Sequence, residues 1–190
     1  TVVIGFLQEQ PDIGGIPAAV RFMEFGDPSA ATAFASVAFD HPLAIVFSSG
    51  TTGPPKCIVH GTGGVLLQHL KEHVLHTDIG PGDVVFYYTT CGWMMWNWLI
   101  GVLATGATVV LYDGSPVHPD PGVLWRIAEH ERISVFGTSA KYLSGIEKAG
   151  FRPAREVQRP RLRTVLSTGS PLPPEGFDYV YAKVKRDVCL

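Results

Sequence analysis

Apolar residues come in short dense runs from about residue 41 onward, separated by breaks rich in Gly, Pro, Ser and Thr. Leu43–Phe47, Cys57–His60, Val84–Tyr88, Thr108–Tyr112, Ser134–Gly137 and Arg163–Gly169 are β-branched or aromatic runs of strand length. Helical spacing falls between them. Leu66, Leu67, Leu70 and Val74 predict a helix over Gly64–His76, and Met94–Ala104 predicts another. Asp120-Pro121 opens a third, with Val123, Leu124, Ile127 and Ala128 on one face; Ser139–Lys148 is a fourth, and Pro173-Pro174 starts a last one toward Lys185. Residues 1–40 are weakly patterned and broken by Pro11, Gly14, Gly15, Pro17 and Pro28. Only a short helix over Pro28–Val37 is predicted there, with Asp27 as its cap and Pro28 in its first turn.

Strands alternating with helices imply an α/β fold, a mostly parallel sheet with crossover helices. Ligands of such sheets gather at the carboxyl ends of the strands. Three glycine-containing turns are expected there, Ser48–Gly53, Thr89–Gly92 and Ser167–Ser170, and are expected to converge on one site. Val84–Tyr112 carries no charged residue and is long enough for a membrane span. Its change of period and its Thr89, Thr90, Gly92, Asn97, Gly101, Thr105 and Gly106 favour a buried strand–helix–strand unit instead.

Composition narrows the picture. The 190 residues are 46% hydrophobic and 17% charged with net charge −2, a globular balance without the basic field that nucleic acid or an acidic membrane would attract. The Lys/Arg-rich stretch from Arg152 to Arg163 is interrupted by prolines and reads as a solvated loop. Three scattered cysteines, Cys57, Cys91 and Cys189, fit a reduced, cytosolic setting, and no signal peptide opens the chain. The chain starts at Thr1 and stops at Leu190 directly after a strand-like segment, so both ends are expected to be cut from something longer.

The candidate chemistry lies in Ser48–Lys56. Its small residues allow consecutive backbone N–H groups to approach one anion, its hydroxyls add donors, and Lys56 adds a positive charge. Polyphosphate suits that set. The spacing is not the Walker pattern, since no Ser or Thr follows Lys56, and Cys57-Ile-Val-His60 continues as a strand rather than a helix. On composition alone, a glycine-rich hairpin without a ligand stays open.

Ser49-Gly-Thr-Thr-Gly-Pro-Pro-Lys56 closely resembles the phosphate loop of the adenylate-forming enzymes, among them the acyl-CoA synthetases, with Cys57 where most members have glycine. Thr89–Trp98 (TTCGWMMWNW), Leu111–Pro116 (LYDGSP) and Leu166–Tyr181 (LSTGSPLPPEGFDYVY) look like the acetoacetyl-CoA synthetase branch more than the acetyl-CoA synthetases. The resemblance implies part of the family's large N-terminal domain: residues 1–40 as a lead-in and 41–190 as an AMP-binding domain truncated at both ends. It implies a ligase that activates acetoacetate with ATP and Mg²⁺ as an acyl-adenylate, then passes the acyl group to CoA, with release of AMP and pyrophosphate. Ser48, Ser49, Gly50, Thr51, Thr52, Gly53 and Lys56 would hold the nucleotide phosphates, with Thr52 the candidate hydroxyl at the metal. Gly169, Ser170 and Pro171 would lie beside the nucleotide; Ser170 replaces a glutamate of the acetyl-CoA synthetases. Trp93, Met94 and Thr168 would line the acyl pocket, Met95 and Trp96 would complete its wall, and Gly137–Lys141 matches a segment near the CoA channel. The adenylation lysine is expected outside this stretch, so no catalytic residue is assigned within it, and the stretch alone is expected to be inactive. Another short-chain acyl- or aryl-CoA ligase, and a phosphate-binding module without turnover, are the alternatives.

Other groups carry less. His69, His73 and His76 fall on one helical face without an accompanying carboxylate or cysteine motif and read as surface histidines. His60 reads as a strand-end residue, Asp78 and Asp83 as turn residues around Gly80-Pro81-Gly82, and Cys91 as a buried thiol.

Overall fold

A computed structural model describes residues 1–48, 53–158 and 161–190, which form two compact units, Thr1–Val37 and Ala38–Leu190. In the first unit β1 (Val2–Val3) pairs in parallel with β2 (Val20–Arg21), and a 3₁₀ turn follows at Phe22–Glu24. The helix expected over Pro28–Val37 does not form. The Asp27 carboxylate instead accepts from the Ser29 N–H at 2.8 Å and from the Ser29 hydroxyl at 2.6 Å, closing a local turn. Every residue of that stretch is exposed, so no buried face offsets the cost of helix nucleation.

The second unit opens with an antiparallel hairpin, β3 (Pro42–Ser48) and β4 (Lys56–Gly61), in which Ile45 lies opposite Val59 and Ser48 opposite Lys56. β3 reads as a core strand in sequence, yet Leu43, Ile45 and Phe47 are 56%, 58% and 66% exposed. Helix α1 (Thr62–Leu70) continues into a π-helical stretch, Lys71–His76. The wider turn shows in the five-residue bond from the Thr77 N–H to the Glu72 carbonyl. His73 is fully buried against Trp98, His69 is partly buried against Gly101 and His76 is exposed, so the expectation of three surface histidines fails for the first two.

The remaining strands form a four-stranded parallel sheet ordered β6-β5-β7-β8: β5 (Val84–Tyr87), β6 (Thr108–Val110), β7 (Val135–Ser139) and β8 (Thr164–Thr168). Helices α2 (Met94–Gly101), α3 (Val123–His130), α4 (Ala140–Lys148), α5 (Pro153–Glu156) and α6 (Pro174–Tyr179) make the crossovers and the last element. The period of two along each strand separates two cores. Val85, Tyr87 and Val135 pack with Met95, Leu99 and Val102 on one face. Phe86, Phe136 and Val165 pack with Leu124, Trp125, Leu143 and Val180 on the other, where the Trp125 and Phe136 rings stack at 4.4 Å. The uncharged stretch from Val84 to Tyr112 is therefore β5, α2, a 3₁₀ turn and β6, and among the described residues no helix is long and apolar enough to cross a membrane.

At the amino edge of this sheet Asp83 does more than shape a turn. It accepts from Arg163 Nη2 at 3.0 Å, from the Ser134 hydroxyl at 2.7 Å and from the Gly80 N–H at 3.0 Å, while Arg163 also donates to the Thr77 and Asp78 carbonyls. These bonds latch the starts of β5, β7 and β8 together. Burial pushes the Asp83 carboxyl up, but the bonds from Arg163, Ser134 and Gly80 outweigh it and hold the pKa below the ordinary carboxylate value. A carboxylate with a depressed folded pKa stabilises fully above its unfolded value, about pH 4, and loses that contribution as pH falls through the folded value. Asp83→Ala is expected to cost roughly 2–3 kcal/mol in urea unfolding at pH 7, because it takes from the Arg163 guanidinium its carboxylate partner and from Ser134 its shorter acceptor. The difference from the parent chain should shrink in acid; an equal deficit at pH 7 and well below pH 4 would contradict the latch.

Candidate functional site

Tyr87 organises the carboxyl edge of the sheet. It ends β5, and its ring lies across Gly137 of the neighbouring β7, so closely that a Cβ at Gly137 would overlap the ring. The hydroxyl donates to the Thr138 carbonyl at 3.1 Å and shares a 2.6 Å hydrogen bond with Thr168 Oγ1 at the end of β8. Three strands are thereby tied by one side chain. Burial raises the Tyr87 pKa and the Thr168 bond only partly offsets it, so the hydroxyl stays protonated.

Beside this edge lies a cavity of about 720 Å³, lined by the end of β4, by α1, by α2 and by the ends of β5 and β8. That volume is in the range of small-molecule sites. The sheet and α2 contribute Tyr87, Met94, Met95, Trp98 and Thr168; β4, α1 and the π-helical stretch after it contribute the polar His60, Gln68, His69 and Glu72. The two helices meet closely at Gly101, where a Cβ would overlap Nδ1 of His69. Behind this wall His73 is wholly buried, its ring edge-on to Trp98 at 4.4 Å and 5.8 Å from His69. Burial, then the neighbouring His69, push the His73 pKa down to about 4, so it is neutral at neutral pH. His69 is lowered as well, by burial first and then by His60.

The residues singled out in sequence distribute as follows. Met94 and Thr168 line the cavity; Trp93 does not, but its ring stands edge-on to Tyr87 at 6.3 Å. Met95 lines the cavity, whereas Trp98 rather than Trp96 supplies the indole, since positions 94, 95 and 98 share one face of α2. Gly169 turns the chain out of β8 with φ of +87°, a left-handed conformation suited to glycine, and places Ser170 and Pro171 exposed beyond it. Ser48 and Lys56 face each other across the neck of the β3–β4 hairpin, with Gly53 and Lys56 exposed. Ser49, Gly50, Thr51 and Thr52 lie outside the described residues, so only the second and third of the three glycine turns are placed, both at the carboxyl edge. Ser139, within Gly137–Lys141, caps α4 by accepting from the Tyr142 N–H at 3.2 Å. Cys91 is exposed, not buried: it sits in the turn between β5 and α2. Among the described residues no group of three or more His, Cys, Asp or Glu is placed to hold a metal ion.

Sequence reasoning missed Tyr87, Gln68 and Trp98, and set aside His60 and His69. Helical spacing on α2 was enough to find Trp98. No local pattern marks Tyr87, whose role depends on a glycine fifty residues away in a neighbouring strand.

The profile of the AMP-binding enzyme family matches residues 10–189. Acetoacetyl-coenzyme A synthetase of Rhizobium meliloti (strain 1021) is 60% identical over 157 residues, covering 83% of this chain and 24% of the relative. Malonamoyl-CoA synthetase vrtB of Penicillium aethiopicum is 45% identical over 175 residues, covering 84% of this chain and 24% of the relative. The structure of acetoacetyl-CoA synthetase from Streptomyces lividans superposes with a TM-score of 0.87 at 43% identity, over 99% of this chain and 29% of that one. The chain thus spans between a quarter and a third of the solved structure's length and about a quarter of the two curated relatives'. A profile match over nearly the whole chain, on a parallel α/β sheet with a cavity at its carboxyl edge, places this chain in the AMP-binding enzyme family.

Proposed function

We propose that the whole protein bearing this chain is an acid–thiol ligase that joins acetoacetate to CoA at the expense of ATP, with residues 41–190 forming part of its adenylation domain and residues 1–40 leading into it. The observation that carries the reading is identity of 43–60% to acetoacetyl-CoA synthetases over most of the chain, the cavity segments among it. In this reading the carboxylate of the acid attacks the α-phosphorus of ATP, pyrophosphate leaves, and the CoA thiol then displaces AMP from the acyl-adenylate. Lys56 and the backbone N–H groups of the loop before it neutralise phosphate oxygens, while Met94, Met95 and Thr168 hold the acyl group. Magnesium would arrive on the nucleotide phosphates and add charge neutralisation there. Thr52, its candidate protein ligand, lies outside the described residues.

The acyl groups named for the relatives, acetoacetyl and malonamoyl, share a second carbonyl at the β position. A cavity with an apolar wall of Met94, Met95 and Trp98 and a polar wall on α1 suits such an acid better than a plain hydrocarbon chain. The test is pyrophosphate release by the whole protein with ATP, CoA and each of acetoacetate, acetate, butyrate and benzoate. Acetoacetate is expected to lead in kcat/KM by at least about tenfold, the discrimination expected where a polar substrate group is paired. A lead by butyrate or benzoate would move the assignment to another acyl- or aryl-CoA ligase, and no turnover with any acid would favour a binding module.

A further inference from the structure

The polar side of the cavity consists of side chains already committed to a fixed arrangement. Gln68 donates from Nε2 to Glu72 at 3.1 Å, and Glu72 is in turn held by Lys71 at 2.9 Å. The bond to Glu72 fixes which end of the amide carries the donors and leaves Gln68 a second N–H. His69 is wedged against Gly101 by its Nδ1 edge, which leaves Nε2 as the nitrogen on the free side of the ring. His73 backs it from the interior, and Trp98 on α2 lies between His73 and Tyr87, its ring 5.8 Å from the Tyr87 ring. His60, at the end of β4, lies near enough to repel a charge on His69. A partly buried, neutral imidazole with one nitrogen free is a hydrogen-bond donor or acceptor, not a cation.

We propose that His69, supported by Gln68 and His60, is the specificity element of the acyl pocket: it donates a hydrogen bond to the 3-oxo oxygen of a β-keto acid and so selects such acids over saturated acids of equal length. This rests on the reading above that the substrate is activated in this cavity. The selection works by a penalty as much as by a gain. A saturated acid places methylene against the donors on α1 and leaves them unpaired in a site it has just desolvated, whereas acetoacetate supplies the acceptor. The apolar wall of Met94, Met95 and Trp98 takes the terminal methyl equally well in both cases, so it does not discriminate. Gly101 belongs to the same device, because any side chain there would push the imidazole off its position.

The experiment measures kcat/KM for acetoacetate and for butyrate in the whole protein and in its His69→Leu, His69→Gln and Gln68→Leu variants. For His69→Leu the acetoacetate-to-butyrate ratio is expected to fall by roughly 10–50-fold, the loss expected when one partly desolvated hydrogen bond to the substrate disappears. His69→Gln, which keeps a donor, should recover part of the ratio, and Gln68→Leu, at an exposed site outside the core, should lower it less. A ratio unchanged in His69→Leu and Gln68→Leu, while the parent protein prefers acetoacetate, overturns this assignment and leaves the proposed activity standing. A parent protein without preference for acetoacetate removes both.

Discussion

Replacing Lys56 by alanine in the whole protein is expected to lower kcat/KM for ATP in pyrophosphate release by about 10²–10³-fold, the scale of losing one preorganised donor to developing phosphate charge. Ser48 and Lys56 are the last paired positions of β3 and β4, so the intervening loop begins and ends at one fixed neck. Pro54 and Pro55 stiffen its exit and bias Gly53 and Pro54 toward extended conformations. Lys56 is exposed and contributes nothing to the core, so its loss should leave folding intact. Its long stem allows the ammonium to follow phosphate oxygens as negative charge builds on the bridging oxygen that leaves with the pyrophosphate. Lys56→Arg should recover part of the activity by keeping the charge. The thioester-forming half of the reaction, started from preformed acyl-adenylate, should change far less, since pyrophosphate has already left. Unchanged ATP dependence in Lys56→Ala would detach the loop from the nucleotide.

Val84–Tyr87 and Val135–Ser139 alternate between two buried faces, and turn residues bound them; such strands announce themselves because both neighbours of each residue are core. In the proposed reading the loop signature and the α2 segment stand out for a different reason: a phosphate and an acyl group would demand specific residue types in a contiguous stretch. The helix expected at Pro28–Val37 failed because capping chemistry was taken without a buried face to support it, and Asp27 turned to Ser29 instead. β3 reads as buried, yet Ile45 and Phe47 are mostly exposed, because apolar content shows an appetite for burial without saying what supplies it. His69 and His73 share one face, as a spacing of four predicts, but that face packs against Gly101 and Trp98 of α2 rather than meeting solvent, a tertiary contact that helical spacing does not show. Tyr87 was invisible, since its partners Gly137 and Thr168 come from two other strands.

Gly137→Ala should destabilise the fold by roughly 3–4 kcal/mol, a core overpacking cost joined by the loss of displaced hydrogen bonds. The position is buried in the middle of the sheet, where β7 pairs with β5 on one side and β8 on the other. Nothing in its backbone requires glycine: its φ is not in the left-handed region, and its carbonyl accepts from the Tyr88 N–H at 2.9 Å as any strand residue would. The constraint is space alone. The methyl would occupy the volume of the Tyr87 ring, and that ring cannot yield cheaply, because Trp93 and Trp98 stand edge-on to it and its hydroxyl is held at Thr138 and Thr168. A double-mutant cycle isolates this cause. In a Tyr87→Ala background, itself destabilised, adding Gly137→Ala should cost less than about 1 kcal/mol, giving a coupling of some 2–3 kcal/mol between the two sites. Additive costs would mean that the glycine serves the backbone rather than the ring. The same substitution has a functional reading, since Tyr87 and Thr168 both line the cavity. If the ring is driven off Gly137, the cavity changes shape at the end of β8, and the KM for the acid should rise before the KM for ATP does. Stability and affinity for the acid would then share one contact, a tyrosine ring lying where a side chain is missing.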